Sequence, residues 1–136
     1  MKPDVSLAAA ELARRLREEL QPELTGFRAN TAGMGAAMLD MIADAWDGAA
    51  ARLVAENRAL RALLQRGGDA LAPEAAEEDL RISALTAAND RLRGQLIALH
   101  ARIEQAEGPA ARDLERAIWA FLRASVAARQ IRSANF

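Results

Sequence analysis

The chain has 136 residues, a formal net charge of −1 and no cysteine, and half of it is apolar although only 4% is aromatic. That length suits one domain. The near-balanced charge gives no field steering it to nucleic acid or an anionic membrane. The missing cysteines exclude disulfides, thiol catalysis and cysteine metal sites.

Abundant Ala with Leu, Arg and Glu predicts an all-α protein, because alanine loses no side-chain rotamer entropy in a helix. Few bulky residues predict closely approaching helices around a thin core. Basic residues are almost all Arg, with Lys2 the only lysine, which fits a GC-rich genome. No apolar run approaches the ~18–20 residues of a membrane span, and the N-terminus becomes charged too early for a secretory signal. A cytoplasmic location is expected.

Four helices are predicted, roughly 5–21, 29–65, 74–106 and 109–131. In the first, Leu7, Leu12, Leu16 and Leu20 recur near one face, and Asp4 or Ser6 can cap the first amides. Pro22 should kink or stop it near Gln21. Leu24 and Phe27 carry the apolar face through a turn at Thr25-Gly26. In the second, Phe27, Thr31, Met34, Met38, Met41/Ile42 and Ala45 form a stripe expected to face the core, as is Trp46. Gly48 is its weak point, costing about 1 kcal/mol against Ala, and is expected to be tolerated. Gly67-Gly68 should stop it, with Arg61 and Arg66 at the negative dipole end.

Residues 67–73, GGDALAP, read as the connection. Pro73 suits a first helical position, and Glu74, Glu77, Glu78 and Asp79 put negative charge on the next helix's first turn. That helix carries the cleanest heptad: Ile82, Asn89, Leu96 and Ile103 in one seam position, Leu85, Leu92, Leu99 and Ala106 in the other. Gly108-Pro109 opens the fourth helix, where Leu114, Ile118, Phe121/Leu122, Ser125/Val126 and Arg129 trace the inner face. Arg129 and Arg132 suit its C-terminal end.

Two segments are near-copies: LVAENRALRALL from Leu53 and LTAANDRLRGQL from Leu85. Pro73 is the midpoint between Asn57 and Asn89, which predicts a helical hairpin with the two asparagines opposite. Short connections make sequential helices antiparallel neighbours. The expected architecture is therefore a single domain, 1–136: a four-helix antiparallel base with a projecting hairpin end at about 50–95. Leu53, Leu60, Leu64, Leu85 and Leu92 line the seam, and Asn57 and Asn89 would fix its register at a cost in stability. Val54 and Leu63 fall off the seam without an evident partner. They and Trp119 are candidate interface residues, and a homo-oligomer, a dimer first, is the expected state.

Candidate chemistry is sparse. His100, the sole histidine, lies one turn from Glu104. Asp40, Asp44 and Asp47 line one helix face and could hold Mg²⁺ through carboxylates, although such rows more often pair with arginines, here Arg14, Arg15 or Arg17. These four residues are the metal candidates, but no second acidic motif accompanies them and no cofactor is expected. Gly33-Met34-Gly35 lacks the lysine of a phosphate loop. Arg52, Arg58, Arg61, Arg66, Arg81, Arg91 and Arg93 come without stacking aromatics or a helix-turn-helix, so nucleic acid is not an expected partner.

The segments ELARRLREELQPELTGF, the long helix through LVAENRALRALL, and FLRASVAARQIRSAN make the chain similar to a family of small helical bacterial proteins. That family is encoded near acyl-CoA dehydrogenases and aminoglycoside-phosphotransferase-like kinases. The resemblance implies an accessory role beside an enzyme and carries no catalytic residues over. The expected function is a non-catalytic interaction protein acting along its helical hairpin. The alternative is a metal- or small-molecule-binding bundle, an enzyme included, using Asp40, Asp44, Asp47 and His100. A third reading, lipid or polymer-granule binding, lacks the dense basic face such helices carry.

Overall fold

The computed structural model describes residues 4–69 and 79–131, and every regular element among them is helical. The described residues form five α-helices: α1 Val5–Arg15, α2 Gly26–Trp46, α3 Ala49–Arg66, α4 Ile82–Glu104 and α5 Pro109–Ala128. No helix among the described residues is long and apolar enough to cross a membrane. The chain divides into two compact units, Met1–Ala49 with Gln130–Phe136, and Ala50–Arg129.

The boundary falls where one long helix was expected. A turn at Asp47-Gly48 separates α2 from α3. Glycine gains least from helix and Asp is a poor helix former, so the pair is the weakest point of the run. The expectation that the helix would continue through Gly48 is thereby corrected.

In the first unit, the Asp4 carboxylate caps α1 by accepting from the Leu7 amide at 3.0 Å. The α-helical register then gives way to a π-turn over Leu16–Leu20, where the Gln21 amide bonds the Leu16 carbonyl, and a 3₁₀ turn over Gln21–Glu23. Pro22, which has no amide hydrogen to continue the helix, sits in that turn. α1 and α2 pack through small residues: Ala9, Ala13 and Ala36 are the buried ones. At Gly33 a Cβ would lie 2.9 Å from the Gln21 side-chain Nε2, and Asp40 pairs with Arg17.

At ~100° per residue, Ala36 points opposite to the stripe of Phe27, Met34 and Met38. Those three are 85%, 68% and 58% exposed. The expected core stripe is thus the outer face of its unit, with Ile42 and Trp46 also exposed. Apolar residues occur on every side of α2, interspersed with Arg28, Asp40 and Asp44, so its pattern did not choose a side. The alanine–glycine side won because it lets the two backbones approach closely.

The second unit is a three-helix bundle. Leu60, Leu63 and Leu64 of α3, Leu92, Leu96 and Leu99 of α4, and Leu114 and Ile118 of α5 form one buried cluster. α3 ends in a Schellman turn: the Asp69 amide bonds the Leu64 carbonyl, the Gly68 amide bonds the Gln65 carbonyl, and Gly68 takes φ +81°. Gly108, at φ +110°, turns the chain into α5, with Pro109 at its first position.

The direction of α4 overturns the hairpin. Asn57 meets Asn89, Gly67 lies against Leu99, and Arg102 bonds Asp69. Partners advance together along both helices at a constant offset of about thirty-two residues, so α3 and α4 run parallel, with the two copies of the repeat side by side in register. α5 is antiparallel to α4, since Arg93 reaches Ser125 and His100 meets Trp119. The connection can span this because residues 67–81 reach up to ~50 Å extended, against ~27 Å for the length of α3.

α4 also begins later than expected, at Ile82, with 79–81 non-helical. Asp79 therefore lies outside the first turn, where its carboxylate accepts from the Arg81 amide and guanidinium. Pro73, Glu74, Glu77 and Glu78 lie outside the described residues, as does Arg132.

Candidate functional site

The repeat brings its asparagines together and builds a polar centre around them. Asn89 Nδ2 donates to Asn57 Oδ1 at 2.9 Å, and Asn57 Nδ2 donates to the Leu85 carbonyl at 3.3 Å. Both asparagines are buried, so the pair places polar groups where leucine would otherwise sit.

Beside them lies Glu56, whose side chain is only 5% exposed. Its carboxylate accepts from Asn89 Nδ2 at 2.9 Å, Arg93 Nε at 2.8 Å, Arg129 Nη2 at 2.8 Å and Ser125 Oγ at 3.2 Å. Arg93 also donates to Ser125 Oγ at 2.7 Å and to Asn89 Oδ1 at 3.0 Å. Burial by itself pushes the Glu56 carboxyl up. Hydrogen bonds from Asn89, Arg129 and Arg93, with the Arg93 charge, outweigh it and hold the group at about 2.

This hub joins α3, α4 and α5, and most of it was not anticipated. Glu56 had no assigned role and Arg93 counted only among the arginines of the repeat, while Ser125 and Arg129 were expected on the inner face of the last helix, Arg129 also at its C-terminal end, without a named partner. One signal was present in the repeat itself: Glu56 aligns with Ala88, so only the first copy carries a carboxylate beside its asparagine. Chemically the hub is saturated. Its carboxylate is ionised and fully engaged, which suits a structural clamp better than a base awaiting a substrate.

The remaining candidates are dispersed. Leu60, Leu63, Leu64, Leu85 and Leu92 are buried within the second unit, and Leu53 and Val54 are half-buried. Leu63 in particular packs in the leucine core and is not spare surface. Trp119, about half-exposed, meets His100 edge-on with ring centroids 5.5 Å apart. His100 Nε2 is 3.7 Å from Glu104 and is buried without a hydrogen-bond partner among the described residues. Asp40 pairs with Arg17. Asp40, Asp44 and Asp47 belong to the first unit and His100 to the second. Among the described residues no three His, Cys, Asp or Glu side chains gather in a way that could hold a metal ion. A shallow, open cavity of about 450 Å³ lies where α3 ends and α5 begins, with Arg66 and Asp113 as its charged lining.

No family model matches this chain, and no curated protein or solved structure matches it either.

Proposed function

We propose that this protein is a non-catalytic helical interaction protein, acting through self-association or by holding a partner. One observation carries the reading: the first unit buries only three alanines among its described residues while Phe27, Met34 and Met38 face outward. A pair of helices with so thin a core gains little from its own burial and gains more by covering that face. The saturated hub supports the same reading, since its polar groups are consumed in holding three helices together. The resemblance noted in the sequence adds an enzyme as a candidate partner, in an accessory role within a bacterial cytoplasm.

The experiment is light scattering of the full chain, together with capture from native lysate by tagged wild type and by the Met38→Glu variant. The reading expects a complex, with itself or another protein, that Met38→Glu weakens at least tenfold. A monomer at high concentration that captures nothing would refute it.

A further inference from the structure

We infer that the outer face of α2 is a self-docking surface, on which a second copy of this chain lies antiparallel about a two-fold axis near Ala36. The inference rests on the interaction reading above and names its partner. Six positions, Phe27, Thr31, Met34, Met38, Met41 and Ala45, follow one another at spacings of four, three, four, three and four. Reversed on itself, the stripe sets Phe27 against Ala45 of the second copy, Thr31 against Met41, and Met34 against Met38.

Each pairing matches large with small or flexible with flexible, as a packed core requires. A parallel pairing would instead stack Phe27 on its own copy and leave a gap at Ala45. The flanks agree: Arg28 and Trp46 lie on the same side of the stripe, near opposite ends of α2. Reversal therefore brings the guanidinium of each copy over the indole of the other, a favourable cation–aromatic contact. Both side chains are exposed and available for it. The face is also large enough. Phe27, Met34, Met38, Ile42 and Trp46 together expose on the order of 600 Å² per copy, about what each side of the smaller specific dimers buries. An isologous contact of this kind closes on itself and does not propagate into fibres.

The absence of cysteine makes the register directly testable in the full chain. Thr31→Cys and Met41→Cys proteins are prepared separately, then oxidised alone and mixed. Antiparallel docking places the two positions opposite each other, while either one is ~15 Å from its own copy, beyond disulfide reach. The expected result is a covalent dimer that forms in the mixture at least tenfold faster than in either protein alone. Self-crosslinking of the Thr31→Cys protein at the mixed rate would overturn the antiparallel register.

Light scattering separates the two levels of the proposal. A wild-type dimer that Met38→Glu converts to monomer, with helicity of the second unit retained, supports it. A wild-type monomer that forms a stoichiometric complex with another protein overturns self-docking and leaves the interaction reading standing. A monomer without any partner overturns both.

Discussion

The Glu56 hub makes a quantitative prediction. A carboxyl held at about 2 instead of its ordinary 4.5 corresponds to about 3 kcal/mol of stability, at about 1.36 kcal/mol for each tenfold step. Breaking a buried ion pair independently suggests about 3–5 kcal/mol. The lower end applies, because Arg93 and Arg129 keep 30% and 47% of their side chains in water and can partly rehydrate. Glu56→Gln should therefore lower the stability of the second unit by about 2–3 kcal/mol at neutral pH. The sign with pH follows from the lowered value. The unfolded carboxyl takes up its proton near 4.5, while the folded one resists until about 2. Wild-type stability should thus be full above 4.5 and fall as pH drops from there toward 2, a loss the variant lacks.

Urea unfolding by circular dichroism at a series of pH values measures both effects. Glu11, bonded by Arg14 and Arg15, and Asp79, bonded by Arg81, are also held at about 2, but they sit on the surface. About 0.5 M salt should suppress their contribution and leave that of Glu56. A variant within about 0.5 kcal/mol of wild type at neutral pH, or one with an undiminished acid slope in salt, would refute the hub as a stabilising element.

Three further predictions test the bundle. Spin labels at Gln65→Cys and Ser83→Cys should lie roughly 23 Å apart in the parallel arrangement, whereas an antiparallel hairpin would bring them to ~10 Å, a difference double electron–electron resonance resolves. Gly67→Ala would put a Cβ 2.5 Å from Leu99 Cδ1 and should cost about 1–3 kcal/mol; Leu99→Ala in the same chain should recover part of that in a double-mutant cycle. Replacing Asn57 and Asn89 together by Leu should broaden the methyl spectrum of the second unit into several registers, as expected when a buried Asn pair is lost. A single sharp spectrum would show that the leucines alone fix the register.

The repeat shows where sequence reasoning reaches and where it stops. Any two residues have a midpoint, so Pro73 lying halfway between Asn57 and Asn89 could not distinguish a hairpin from two parallel copies. A second pair distinguishes them, and Gly67 against Leu99 is that pair. The heptad seam itself is silent on direction, because spacings of three and four read the same in reverse. The glycine-rich stretch after Arg66 marks the end of α3 but not where the chain goes next.

Helix content, the Asp4 cap, the Gly67-Gly68 stop and the start of α5 at Pro109 were legible in the sequence by itself. Each depends on backbone groups within a few residues, where propensity and capping chemistry act. Tertiary structure decided the rest. It made α2 turn its small side inward, because close backbone approach outweighed the larger side chains opposite. It set α4 parallel to α3. It made Glu56 a hub, because the side chains that satisfy it come from three helices, as far away as Arg129, and no local pattern could announce their meeting.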